Sequence, residues 1–171
     1  MTTATDTRES LSAALKTSTA EAHDKAEHSV FMDELLAGKL SVADFIALQE
    51  QSWLFYSALE DAARAVADHP LALGIVDPAL ERVNALEHDL NHLHGSTEWR
   101  TTVTPLPATA EYIARLKDIE ETKDVARLLA HHYVRYLGDL SGGQVIGRMM
   151  QRHYGVSDEC VTFYHFAEIP K

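Results

Sequence analysis

Apolar residues recur at helical spacing along almost the whole 171-residue chain, and no segment shows the strict two-residue alternation of a half-exposed strand. A chain with this single periodicity buries its apolar stripes by packing helices against one another. We therefore predict an all-α, single-domain helical bundle over residues 1–171, with residues 1–8 as a flexible arm. On the first helix, the predicted inner stripe consists of Leu11, Leu15, Ser18, Ala22 and Ala26.

Capping and helix-breaking residues mark the predicted helix ends. Ser41 and Asp44 form a capping-box pattern ahead of the third helix. The fourth helix has Asp77 at its N-cap, Pro78 at its first helical position and Gly95 just past its end. The pattern predicts six helices, at residues 9–28, 30–37, 42–66, 78–94, from 109 onward, and 124–154.

Charge and cysteine content exclude several classes of protein. The chain has 15 Lys+Arg against 26 Asp+Glu, a formal charge of -11, which repels nucleic-acid phosphates and anionic lipids. We expect no nucleic-acid partner and no membrane anchor, since no apolar run is long enough to cross a bilayer. Cys160 is the single cysteine, so an internal disulfide and a multi-cysteine metal site are excluded, and a cytoplasmic location is expected.

Four glycines interrupt the sixth helical pattern, namely Gly138, Gly142, Gly143 and Gly147. At about 1 kcal/mol each relative to alanine, they cost on the order of 4 kcal/mol, a large share of a typical net stability of about 5–15 kcal/mol. Close helix packing would explain them, and so would a flat ligand that approaches the backbone. Asp139 and Ser141 among the glycines, with Tyr133 and Arg135 upstream, favour a flat apolar ligand with one polar, reactive point.

His23 is the most informative of the ten histidines. Lys16 lies seven residues before it and Glu27 four residues after it, so all three project from roughly one helix face. Seven residues span about 10.5 Å of helix, enough for the histidine to hold the centre of a large planar ligand while the lysine reaches its edge. Glu27 would orient the imidazole. An ordinary amphipathic helix, however, explains His23 better when that residue is considered alone.

A second pair of histidines, His88 and His92, lies four residues apart on the fourth helix. The pair could chelate a divalent cation, but the sequence shows no third ligand, and a solvated polar face is the simpler explanation. No Glu-x-x-His pattern occurs, which argues against a ferritin-like di-iron bundle.

Two long segments resemble the haem (heme) oxygenase family, in particular its soluble bacterial type. Residues 132–144, HYVRYLGDLSGGQ, are similar to the distal helix signature of that family, and residues 15–32 are similar to its proximal helix. Shorter similarities lie at residues 49–60, QEQSWLFYSALE, and 163–166, FYHF. The resemblance covers nearly the whole chain and implies that haem b is sandwiched between a proximal helix and a kinked, glycine-rich distal helix.

The resemblance also implies a role for each candidate residue. His23 would be the axial ligand of the haem iron, with Glu27 as its partner. Asp139 would hold the water network that delivers a proton, and Arg135 and Tyr56 would be its polar neighbours. The implied haem contacts are Lys16, Tyr133 and Lys171 at the propionates, Thr19 and Met32 in the proximal pocket, and Gly138, Ser141, Gly142 and Gly143 on the distal side.

The activity implied is that of an oxidoreductase that opens haem to biliverdin, carbon monoxide and ferrous iron, for iron acquisition. It would use O2 and electrons from an external reductase or ferredoxin, and we expect a monomer that meets a redox partner protein. Family members continue beyond the position of Lys171, so the chain is expected to be truncated at its C-terminus or a natural short form.

Three other interpretations stay open at this stage. The first is a haem-binding carrier or sensor, or an inactive fragment, that does not turn over. The second is a thiaminase-like hydrolase on a related all-α fold, for which Cys160 would need a neighbouring base that is not evident. The third is a plain interaction bundle, which the pair Gly138 and Asp139 in mid-helix disfavours.

Overall fold

The computed structural model describes residues 10–169, and this part of the chain is helical without any strand. The all-α prediction is confirmed. The α-helices are α1 Leu11–Glu27, α2 Val30–Leu36, α3 Val42–Ala65, α4 Val83–His94, α5 Pro107–Thr122, α6 Val125–Gly138 and α7 Gln144–Tyr154. Single 3-10 turns lie at Pro78–Leu80, Glu98–Thr101, Asp158–Cys160 and Thr162–Tyr164. The predicted arm and Lys171 lie outside the described residues.

Local capping sets most of the helix ends. The capping box of α3 is present, because the Ser41 hydroxyl accepts from the Asp44 N–H and the Asp44 carboxylate accepts from the Ser41 N–H at 2.9 Å. Asp124 caps α6 through a hydrogen bond from the Arg127 N–H at 3.1 Å. Gly95 closes α4 in the left-handed region, at φ +67.

The predicted fourth helix is wrong at its start. Asp77 caps the short turn Pro78–Leu80, and α4 begins only at Val83. The reason is a long-range cap: the buried carboxylate of Glu60, on α3, accepts from the backbone N–H groups of Arg82 and Val83. An acceptor that lies 22 residues earlier in the chain gives no local sequence signal.

Helix α3 is the centre of the core and packs against α4, α5 and α6. Its buried apolar residues include Phe45, Tyr56 and Leu59. Helix α1 is different, because it packs against α2 and the predicted inner stripe at Ser18, Ala22 and Ala26 is exposed. Serine and alanine offer little apolar area to bury, so this helix contributes a surface rather than a core stripe.

The helix predicted at residues 124–154 is helical without a gap from Val125 to Tyr154, but its backbone hydrogen-bond pattern changes along its length. Between α6 and α7 lies a π-helical segment, Asp139–Gly143, and we call it the π segment. A π segment widens the helix locally and is frequent at functional sites. The turns Asp158–Cys160 and Thr162–Tyr164 then pack against α4, which brings the C-terminal part of the chain beside the π segment. Within residues 10–169, no helix combines the length and the hydropathy needed to span a bilayer.

Candidate active site

A buried carboxyl group lies at the start of the π segment. The Tyr56 hydroxyl, from α3, donates a hydrogen bond to the Asp139 Oδ2 atom. Burial raises the pKa of Asp139 to about 6, although the hydrogen bond from Tyr56 and the positive charges of Arg135 and Arg82 act in the opposite direction. This carboxyl group can therefore take up or release a proton near neutral pH. Asp139, Tyr56 and Arg135 form what we call the distal network.

Arg135 is held in place by aromatic side chains. Its guanidinium lies over the Phe55 ring at 4.3 Å from the ring centroid, and it lies 5.1 Å from the centroid of Tyr112. The aromatic contacts fix a positive charge beside Asp139 and Tyr56. The structure thus brings together the three residues to which the family resemblance gives a role in proton delivery.

Three members of this environment were missed by the sequence reasoning, namely Tyr136, Tyr164 and Arg82. The rings of Tyr136 and Phe163 pack around Tyr56, with centroids 5.8 Å and 5.4 Å from its own. Burial raises the pKa of the Tyr56, Tyr136 and Tyr164 hydroxyls well above their usual range, so these hydroxyls stay neutral. Tyr136 lies one turn before Asp139, a spacing that could have indicated it.

Arg82 anchors the C-terminal part of the chain next to the distal network. Its guanidinium donates to the backbone carbonyl of His165 at 2.9 Å and lies over the Phe166 ring, 3.9 Å from the centroid. Burial lowers the pKa of Arg82, and the nearby carboxylates of Asp139 and Glu60 partly oppose that shift. No local pattern around residue 82 predicts this role, because His165 and Phe166 are more than 80 residues away in the chain.

One face of the distal helix is open and apolar. At Gly138 and at Gly142, an added Cβ would have no described atom within 4 Å apart from the adjacent residues and the backbone of its own helix. Val134, Leu137 and Val145 lie along the same stretch and are 57%, 46% and 44% exposed. These five residues form what we call the open face. An apolar surface with two positions that carry no side chain fits a flat, apolar ligand such as a porphyrin.

The other two glycines, Gly143 and Gly147, lie against the ring of Tyr164. A Cβ at Gly143 would lie 3.2 Å from the Tyr164 ring, and one at Gly147 would lie 3.2 Å from the same ring. Both glycines are buried. The assignment of Gly143 to haem contact is therefore corrected, because its missing side chain makes room for Tyr164. Close packing explains this pair, whereas the open face explains Gly138 and Gly142.

The different surroundings of Gly147 and Gly142 predict opposite effects of an alanine substitution on the free energy of unfolding. Gly147→Ala is expected to destabilise the chain by about 1–3 kcal/mol, because the methyl group presses on the buried Tyr164 ring. Gly142→Ala, the matched control, is expected to stabilise it by up to about 1 kcal/mol through better helix propensity. Urea unfolding of both variants measures the difference. Equal losses of stability would contradict this difference in surroundings.

The remaining distal candidates lie near the open face. The Ser141 hydroxyl donates to the Leu137 carbonyl at 2.6 Å, so it serves the helix itself. Tyr133 is 41% exposed, with room to reach a ligand edge.

The proximal candidates lie on the exposed α1 and on α2. The His23 Nδ1 atom is 3.3 Å from the Glu27 Oε2 atom, and the two side chains are 72% and 59% exposed. A carboxylate at Nδ1 leaves Nε2 as the metal-binding nitrogen. Lys16 is exposed, and the Thr19 hydroxyl donates to the Leu15 carbonyl at 2.8 Å. Met32 is partly buried against the core.

Comparison with known proteins gives one consistent family. The family model described as Heme oxygenase matches residues 9–171. The chain is 35% identical over 159 residues to heme oxygenase 1 of Synechocystis sp., which covers 93% of this chain and 65% of that protein. It is 38% identical over 143 residues to heme oxygenase 1 of Gallus gallus, covering 83% of this chain and 48% of that protein. The chain thus spans about half to two thirds of these relatives.

Solved structures agree with the sequence matches. The crystal structure of heme oxygenase-1 from Synechocystis sp. in complex with heme has a TM-score of 0.84 at 34% identity, over 92% of this chain and 71% of that one. The heme oxygenase of Leptospira interrogans has a TM-score of 0.87 at 32% identity, over 95% of this chain and 79% of that one. By sequence and by fold, the chain belongs to the haem oxygenase family.

Proposed function

We propose that this chain opens haem b, its substrate and cofactor, to biliverdin, carbon monoxide and ferrous iron for iron acquisition. Membership of the family supports this activity, as does the similarity to a relative solved in complex with heme. The observation that carries it is the hydrogen-bonded pair Tyr56 and Asp139, with a raised carboxyl pKa, at the start of the π segment that contributes to the open face. A haem carrier has no need of a buried, proton-exchanging carboxyl group.

The open face sets how closely haem lies against the distal helix. Bound haem supplies the redox-active iron at which O2 is reduced and the ring carbon that is oxidised. Gly138 and Gly142 leave room for the ring next to the backbone, and Val134, Leu137 and Val145 cover its apolar surface. The close fit excludes bulk water from that side.

The distal network handles the proton. The Tyr56 hydroxyl stays protonated and donates to Asp139 Oδ2, which leaves the Oδ1 atom to exchange a proton with water in the site. A carboxyl pKa of about 6 lets the group both accept and release that proton at neutral pH. Arg135 holds a fixed positive charge beside the pair.

The proximal side holds the substrate. His23 binds the iron through Nε2, and Glu27 orients the imidazole through Nδ1. Lys16 and Tyr133 contact the propionates, Thr19 and Met32 line the pocket, and Ser141 contacts the ring edge from the distal helix. Lys171 keeps its proposed role at a propionate.

The partners and location are proposed on the same basis. Electrons come from an external reductase or ferredoxin, and O2 is the oxidant. The acidic chain, with its formal charge of -11, acts as a monomer that meets its redox partner transiently. The single thiol, Cys160, is buried and free, which is compatible with the cytoplasm.

Filling the open face tests this proposal. Gly142→Leu is expected to weaken haem binding at least about tenfold, about 1.4 kcal/mol, because the side chain occupies the space of the ring. The matched control, Ala114→Leu, adds the same side chain at an exposed position of α5 and is expected to change nothing. Haem titration by absorbance measures both. Unchanged affinity in Gly142→Leu would show that haem binds elsewhere.

A further inference from the structure

A second cluster of metal-binding side chains lies on α4, outside the proposed haem site. His88 and His92 lie one turn apart, with ring centroids 4.3 Å apart. The turn Asp158–Cys160 adds Glu159, whose Oε2 atom is 3.1 Å from the His88 Nε2 atom. One ligand atom from each of the three side chains lies within 4.8 Å of the others. The sequence gives no local signal for Glu159 as a third ligand, because Glu159 lies 67 residues beyond His92 in the chain.

Both imidazoles are oriented so that the same nitrogen faces the cluster. The His92 Nδ1 atom lies 2.8 Å from the backbone carbonyl of His88, an acceptor that requires the proton on Nδ1 and leaves Nε2 with a free lone pair. The buried His88 Nδ1 atom lacks a hydrogen bond within the described part of the chain and lies 3.6 Å from Asp89 Oδ1. A carboxylate behind the imidazole is the arrangement that supports histidine ligands to metals.

The Asp89 carboxylate next to His88 is held in place by hydrogen bonds. Asp89 is 0% exposed, and it accepts from the backbone N–H groups of Thr162 and Phe163 at 2.9 Å each. The same carboxylate also accepts from the Thr162 hydroxyl. His88 is therefore backed by a fixed group, whereas Glu159, 60% exposed, can adjust its position to a bound ion.

We propose that His88, His92 and Glu159 bind a divalent first-row transition metal ion of the zinc class. Two imidazole nitrogens and one carboxylate oxygen suit Zn²⁺ better than Ca²⁺ or Mg²⁺, which prefer oxygen ligands. Tetrahedral ligands at about 2.0–2.1 Å from zinc lie about 3.3 Å from one another, close to the 3.1 Å between His88 and Glu159. The three side chains leave a fourth position for water.

The ion would join two parts of the fold that are far apart in sequence. Glu159 belongs to the segment that also carries Tyr164, and Tyr164 packs against Gly143 of the π segment. A metal bridge from α4 to Glu159 therefore holds this segment against α4, at the place where Tyr164 packs beside the π segment. Because the ion binds the folded chain, it stabilises the native state by an amount that grows with the logarithm of the ion concentration once that concentration exceeds the dissociation constant.

Zn²⁺ titration of the full chain by calorimetry near neutral pH tests the site. We expect one equivalent to bind more tightly than the rest, and we expect His92→Gln and Glu159→Gln each to weaken it at least about tenfold. His165→Gln, a substitution at an exposed histidine outside the cluster, is the control and is expected to bind like the unsubstituted chain.

Thermal unfolding gives a second readout for the same variants. Zn²⁺ is expected to raise the Tm of the unsubstituted chain and of His165→Gln, but not that of His92→Gln. Since the His92 side chain is exposed, this variant is expected to fold, and its circular dichroism spectrum checks that. Equal Zn²⁺ affinity and an equal Tm shift in His92→Gln and the unsubstituted chain would overturn the proposal.

Discussion

Replacing His23 with alanine is expected to abolish axial ligation of haem and to lower biliverdin formation on the order of 100-fold, about 2.7 kcal/mol in the barrier. The imidazole lies on an exposed helix, with its Nδ1 atom 3.3 Å from Glu27, so its Nε2 atom is the nitrogen offered to iron. The absorbance spectrum of the ferrous complex reports the loss, and added imidazole is expected to restore ligation in the variant.

His28 provides a matched control on the same stretch of chain. It is also exposed and also lies beside carboxylates, with its Nδ1 atom 3.6 Å from Asp33 and its Nε2 atom 3.9 Å from Asp24. His28→Ala is expected to keep both the spectrum and the activity. A histidine-ligated spectrum that survives in His23→Ala would remove His23 from the site.

Replacing Asp139 with alanine is expected to leave haem binding intact while biliverdin formation falls on the order of 100-fold, a typical loss for a group that transfers a proton. The residue contributes a carboxyl group whose pKa burial raises to about 6, and alanine cannot exchange a proton. Single-turnover absorbance with a chemical reductant measures the rate. Bilin formation at the rate of the unsubstituted chain would contradict the role of Asp139.

Tyr56→Phe separates positioning from proton exchange. The Tyr56 hydrogen bond lowers the pKa of Asp139, so its removal is expected to raise that pKa above about 6. The pH at which turnover is half-maximal is then expected to move upward, with haem binding preserved because the aromatic ring remains. A purely structural role of Tyr56 would lower stability without moving the pH profile.

Local sequence signals predicted the features of the fold that depend on neighbouring residues. Ser41 and Asp44 cap α3 as predicted, and Gly95 ends α4, since each acts within one helical turn. The start of α4 was wrong because its cap, Glu60, lies on another helix. The predicted inner stripe of α1 is wrong at Ser18, Ala22 and Ala26 for a related reason: periodicity shows which residues share a face, but not what that face contacts.

The candidate site shows the same division. Gly138 and Gly142 are four residues apart, as are Gly143 and Gly147, so each pair shares a helix face. The structure has the first pair open and the second pair against Tyr164. Which pair faces a ligand depends on the position of Tyr164, and a residue so far along the chain gives no signal in the glycine pattern. The contact between Glu159 and His88 could not be predicted for the same reason, since the two residues are far apart in the sequence.

The most direct test of the central claim is the product balance of the chain itself. The full chain is loaded with one equivalent of haem, sealed with air and a chemical reductant, and analysed for residual haem, biliverdin and carbon monoxide in the same sample. The proposed function predicts one biliverdin and one carbon monoxide for each haem lost. A haem complex that stays intact, or one that loses its haem absorbance without forming biliverdin and carbon monoxide, would contradict it.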